Sequence, residues 1–182
     1  VTFPHNADKP VKTELRGIGL EPSGGADETA AELTKRDISH MEVKNNMRQG
    51  PDGQTRVVWS IVYLKDFPPV EADIFFVDYK FRKSVAAKYK ATDDELTARN
   101  RGPLGIVGAA EITVGVRDLE DARKKWSILL APSPQISEDA FVFNTGPRIR
   151  LVRAEPPGIQ GITLRVRSLN DAEKFLEERQ LL

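Results

Sequence analysis

A repeat constrains this chain more than any other feature. Glu111–Ala122 (EITVGVRDLEDA) and Gly161–Ala172 (GITLRVRSLNDA) lie 50 residues apart and agree at seven of twelve positions. The identities are Ile112/Ile162, Thr113/Thr163, Val116/Val166, Arg117/Arg167, Leu119/Leu169, Asp121/Asp171 and Ala122/Ala172. Self-similarity of this kind builds the same supersecondary piece twice, so the fold must hold two equivalent units. Ile112, Val114 and Val116 in the first copy, and Ile162, Leu164 and Val166 in the second, recur with period two. That spacing puts them on one face of a strand. Asp118 and Ser168 follow where an N-cap belongs, with side-chain oxygens able to accept the free N–H groups of a first helical turn. Leu119, Ala122, Trp126 and Leu129 then recur at helical spacing, as do Leu169, Ala172, Phe175 and Leu176. Each copy is a strand running into a helix that lays an apolar stripe on its sheet.

A weaker third copy lies upstream. Gly17-Ile18-Gly19-Leu20 resembles Gly161-Ile162-Thr163-Leu164, and Asp27–Ile38 aligns with Asn170–Leu181 after one residue of slippage. Strands are expected at Met41–Met47 and Arg56–Leu64, flanking Pro51-Asp52-Gly53, because Asp-Gly tolerates the positive φ of a hairpin turn. Ile74–Tyr79 reads as a further strand. Phe141–Phe143 and Arg148–Arg153 flank a second turn signal, Asn144-Thr145-Gly146-Pro147. The expected order is strand, helix, three strands, linker, strand, helix, up to three strands, strand, helix. The linker, 80–107, is charged and has little apolar periodicity, so it is expected to join two units rather than build a core.

Composition narrows the function classes. Lys plus Arg and Asp plus Glu each number 27, giving a formal net charge of zero. A nucleic-acid binder relies on a basic excess to displace counterions, so no nucleic-acid partner is expected. There is no cysteine, which removes disulfides, thiolate zinc sites and a cysteine nucleophile. No apolar run approaches the ~20 residues of a membrane span, and no signal-peptide pattern opens the chain. The expectation is a cytoplasmic protein with no membrane partner.

A tandem βαβββ unit is the organisation of the vicinal-oxygen-chelate superfamily. Arg48-Gln49-Gly50-Pro51-Asp52-Gly53, followed by Arg56-Val57-Val58-Trp59, resembles the central hairpin of its glyoxalase-like domain group. Ile74-Phe75-Phe76-Val77-Asp78-Tyr79 is similar to the strand closing that unit. Glu111–Asp118, Ile149–Val152 and Ile159–Leu182 also look like members of the group. The resemblance implies an α+β fold of repeated βαβββ units whose mixed sheets form a partly open cup. It divides the chain into a partial unit at 1–79 (βαβββ from about residue 17), the linker 80–107, and a C-terminally incomplete second unit at 108–182. It also implies His or Glu metal ligands on the first and last strands, since a hard or borderline divalent ion needs such donors and open positions.

Carried over residue by residue, the first-strand ligand position falls on Glu111. Its counterpart in the next copy falls on Gly161, which has no side chain. The late-strand position falls on Arg150, which repels a cation. Glu111 therefore reads as a residual ligand or base, or as a carboxylate paired with a nearby arginine. Arg150 and Arg165 share its strand face and suit a carboxylate or phosphate, because the guanidinium fork matches both. Arg148, Arg153 and Arg167 make the stretch basic and favour an anionic partner. Thr113 and Thr163 complete that set of candidate ligand contacts. Trp59, with Phe75 and Tyr79, could line an apolar pocket or simply pack a core. His5 and His40, with Glu42 two residues on, are a conceivable metal pair, although ordinary surface or turn histidines are the plainer reading. Gly24-Gly25 lacks the fingerprint of a phosphate loop.

Three functions follow. The preferred one is a glyoxalase-like protein that binds a small, anionic metabolite without the usual metal, and with no cofactor. The second is a metal-dependent lyase, isomerase or dioxygenase of the same superfamily, with one divalent metal and Glu111 as a ligand. The third is a non-catalytic assembly module. The chain begins inside a unit and ends after a helix, so open sheet edges are expected to pair, giving a homo-oligomer.

Overall fold

The computed structural model describes residues 15–67, 72–132, 135–137 and 140–181. Among them, four helices and two mixed sheets make an α+β fold that does not close into a barrel. The first sheet is built from β1 (Gly17–Leu20), β2 (Lys44–Gln49), β3 (Thr55–Tyr63) and β4 (Asp73–Tyr79), in the order β1-β4-β3-β2. Helix α1 (Ala26–Lys35) follows β1. Helix α2 (Arg82–Ala98) leads to the second sheet. That sheet contains β5 (Ile106–Val116), β6 (Gln135–Ser137), β7 (Ala140–Val142), β8 (Arg148–Arg153) and β9 (Gly158–Val166), in the order β6-β7-β8-β5-β9. Helices α3 (Leu119–Leu130) and α4 (Leu169–Glu178) follow β5 and β9.

The repeat is visible in the pairing. β1 runs parallel to β4, and β5 runs parallel to β8. The two repeated strands, β5 and β9, lie side by side and antiparallel, with Ile112 opposite Ile162. Glu111 therefore faces Thr163 and Thr113 faces Gly161, so the copies are related by a local two-fold through the isoleucine pair.

Caps and turns form where the sequence places them. Asp118 accepts the N–H groups of Glu120 and Asp121 at 3.0 Å, and Ser168 accepts that of Asp171 at 3.2 Å. Gly53 (φ 76°) and Gly146 (φ 88°) turn the chain between β2 and β3 and between β7 and β8, a conformation that glycine adopts without a Cβ penalty. Ala122, Trp126 and Leu129 of α3 are buried against Val114, Val116, Phe141, Ile149 and Leu151. Trp126 stacks on Phe141 (6.2 Å between centroids) and meets Phe67 of the first half edge-on at 5.7 Å. One apolar cluster therefore runs through both halves, taking in Ile18, Leu33, Val62 and Ile74 as well. Arg36, just past α1, reaches across and donates to the carbonyls of Ile128, Leu129 and Ala131 at 3.2, 3.2 and 2.8 Å. Those are carbonyls that a helix end leaves without intrahelical partners.

The stretch 80–107, read as a charged linker, holds the 17-residue α2 and the start of β5. No residue of α2 is buried, so no apolar stripe marked it. The stripe expected on α4 is only partly used. Ala172 is buried and Phe175 and Leu176 are half-buried, but Leu169 is 65% exposed.

Candidate functional site

Each sheet has one face under a helix and one face that its own helix leaves open. On the first sheet, Ile18, Leu20, Ile74, Phe76 and Val62 point toward α1. Strand alternation puts Gly17, Gly19, Phe75, Val77, Tyr79, Trp59, Ile61 and Tyr63 on the other side. Register aligns them in rows, Gly19–Phe75–Tyr63 and Tyr79–Trp59–Asn46. The Phe75 ring lies across both glycines: a Cβ on Gly19 would sit 2.8 Å from it, and one on Gly17 3.2 Å. Tyr63 packs on the same ring at 5.2 Å. This face is aromatic and filled.

The equivalent face of the second sheet is charged. Parallel pairing sets Arg148 beside Glu111 and Arg150 beside Thr113, while β9 adds Thr163 and Gly161 to the two rows. Glu111 is buried in spite of its charge. Both guanidiniums reach one of its oxygens: Arg148 Nε lies 2.5 Å and Arg150 Nε 2.9 Å from Oε2. Burial pushes the Glu111 carboxyl up, but the hydrogen bonds and charges of Arg150 and Arg148 outweigh it and hold the pKa below the usual range. Among its candidate companions, Thr113 and Gly161 are half-buried and Thr163 and Arg165 are exposed. A Cβ built on Gly161 meets nothing within 4 Å, so the sheet has a bare ledge beside Thr113. Gln160 walls one end, its amide held by the carbonyls of Pro156 and Gly158 at 3.1 and 3.4 Å.

The sequence candidates thus divide. Glu111, Thr113, Arg150 and Thr163 come together, and Arg165 lies on the same face two residues beyond Thr163. Trp59 does not join them: it belongs to the other sheet, between Tyr79 and Asn46. Arg148 was read only as part of a basic stretch, yet it is the closer partner of Glu111. Its signal was parity, two residues before Arg150 on one strand.

The donor set does not fit a metal ion. Two guanidiniums within 3 Å of the Glu111 carboxylate put positive charge where a cation would need to sit. No group of three or more His, Cys, Asp or Glu side chains that could hold a metal occurs among the described residues. His40 contacts the Thr34 hydroxyl at 3.0 Å and the Met41 carbonyl at 2.9 Å, as a turn histidine does. His5 lies outside the described residues.

An open cleft of about 690 Å³ at the start of α1 is lined by Ser23–Gly25 and Asp78–Ser84. Gly24 and Gly25 do not cradle a phosphate there. The first helical N–H, that of Ala26, is taken at 3.2 Å by the buried carboxylate of Asp78. Lys80 reaches the same oxygen at 2.5 Å and Arg82 the other at 3.7 Å. Burial raises the Asp78 pKa, and these hydrogen bonds and charges more than reverse the effect, leaving it lowered.

No family model matches the sequence, and no curated protein matches it. Among solved structures, the chain is similar to a hypothetical protein from Staphylococcus aureus, at 10% identity and a TM-score of 0.59. The match covers 85% of this chain and 59% of that one, so this chain spans less than two thirds of its neighbour's length. At that identity the likeness shows the fold alone. No helix among the described residues is long and apolar enough to cross a membrane.

Proposed function

We propose that this chain is a cytoplasmic, glyoxalase-like protein of the vicinal-oxygen-chelate kind. Its βαβββ units would form a partly open cup that binds a small, anionic metabolite without a metal. The observation that carries this reading is the Glu111 clamp. One buried carboxylate holds two arginine side chains in fixed geometry beside the Thr113 and Thr163 hydroxyls and the bare Gly161 ledge.

Pre-set guanidiniums lose less entropy on meeting a carboxylate or phosphate than freely rotating ones. Arg165 adds a positive charge at the exposed end of the same face. The ledge gives a flat group somewhere to lie. The strand order and the repeat support the family reading, and the absence of cysteine suits a reducing compartment.

Calorimetric titration with a panel of small carboxylates and phosphates tests the proposal. Binding that weakens several-fold in Arg165→Ala, and is blocked in Gly161→Glu without loss of folding, is the expected result. A panel that binds equally well to both variants, or not at all to the parent, would sink it.

A further inference from the structure

Near its start, strand β9 carries one residue more than β5 opposes. Thr113 lies opposite Gly161 and Val114 opposite Ile159, so Gln160 between them has no partner across the ladder. A bulge of this kind re-aims the extra side chain. Here it turns Gln160 onto the charged face. Strand alternation puts Gly115 on the same side of β5 as Glu111 and Thr113. A Cβ built on Gly115 would lie 2.5 Å from the Gln160 amide nitrogen and 2.9 Å from Cδ. A larger residue at 115 would displace the amide from that bed.

The amide is oriented as well as placed. Its Nε2 donates to the Pro156 carbonyl at 3.1 Å and to the Gly158 carbonyl at 3.4 Å. With the nitrogen held, the oxygen is the end of the amide open to a ligand, and it can only accept a hydrogen bond. Three rows therefore cross this face. Arg148–Glu111–Thr163 is followed by Arg150–Thr113–Gly161, and then by Val152–Gly115 with the Gln160 amide above it. Successive rows are two residues apart along the strand, or about 7 Å. The face is cationic at one end, bare in the middle, and ends on a fixed acceptor beside an apolar side chain.

We propose that Gln160 sets the ligand class of this face: a small carboxylate whose far end carries a hydroxyl. The carboxylate lies at the arginine end, the carbon chain crosses the Gly161 ledge, and the hydroxyl donates to Gln160 Oε1. This inference rests on the reading of the face as an anion site, and deepens it.

Two probes of equal length separate the inference from that reading. Hexanoate and δ-hydroxyvalerate differ only in a terminal methyl against a hydroxyl. Calorimetric titration of the whole chain is expected to show δ-hydroxyvalerate binding about five-fold more tightly, the size of one net hydrogen bond. Its methyl ether, which accepts but cannot donate, is expected to bind no better than hexanoate. Gln160→Met, similar in size but without the acceptor, is expected to erase the preference and to leave hexanoate binding and the circular dichroism spectrum unchanged. Equal binding of hexanoate and δ-hydroxyvalerate to the parent overturns the proposal and leaves the anion site standing. So does a preference that the methyl ether shares, or one that survives in Gln160→Met. If neither probe binds the parent, the anion site falls and this inference falls with it.

Discussion

Gly17 and Gly161 occupy equivalent places in the repeat, each on the open face of a first strand. At Gly17 an added methyl would meet the Asp73 carbonyl at 2.8 Å and the Phe75 ring at 3.2 Å; at Gly161 it would meet nothing within 4 Å. The neighbouring strands explain the contrast. Beside Gly17, β4 offers the Phe75 ring; beside Gly161, β5 offers only the short Thr113 side chain. A ring needs a glycine-floored bed and fills it, whereas in the Gly161 row Thr113 is short and Arg150 turns to Glu111, leaving the ledge bare. Two faces built on one strand plan therefore differ in kind: one is packed with its own side chains, and the other is a charged surface with space above it.

The sharpest way to break this comparison is Glu111→Ala. It strips Arg148 and Arg150 of their shared, buried carboxylate and is expected to cost about 3 kcal/mol of stability. Urea unfolding measures this, and a loss below ~1 kcal/mol would mean that the clamp is an ordinary surface pair. Next in size, Gly17→Ala forces a methyl against backbone and ring and should cost about 2 kcal/mol, read from the same curves. Acid is expected to act on a smaller scale. Asp78 and Glu111 have folded pKa values below their ordinary 3.8 and 4.5. The stability they add is fully present above those ordinary values and is lost as pH falls through the lowered folded ones. The urea midpoint should decline in that window, and Asp78→Asn should flatten the decline. Gly161→Ala should change stability by less than about 0.5 kcal/mol. If it costs as much as Gly17→Ala, the ledge is not open and the two faces are alike.

Much of the fold was legible because it rests on local chemistry. The bounds of β8, the caps at Asp118 and Ser168, and the turns at Gly53 and Gly146 each follow from a few adjacent residues. The apolar stripe of α3 was readable because Trp126 and Leu129 are buried by the sheet beneath them. Helix α2 was not, because it buries no residue and leaves no periodic trace. Only the intrinsic helix preference of its Ala, Lys and Glu residues could have signalled it. Leu169 was placed with the core because spacing shows which residues share a face, but not whether anything covers that face.

The site divides in the same way. Glu111 and Arg150 were placed together by strand parity. The choice of Arg148 as the nearer partner depends on the register between β5 and β8, which no single strand encodes. Trp59 was read, with Phe75 and Tyr79, as lining an apolar pocket or packing a core. That strands β3 and β5 belong to different sheets is a property of long-range pairing.

Arg36 couples two events that would otherwise be separate. It belongs to the first half of the molecule, yet it finishes the last turn of a helix in the second. Fraying of that turn removes the acceptors that tie the halves together, and any rocking of one half on the other withdraws the donor that keeps the turn wound. The amides near the end of α3 should therefore exchange with solvent at the rate at which the two halves part, making that short segment a clock for motion of the whole chain.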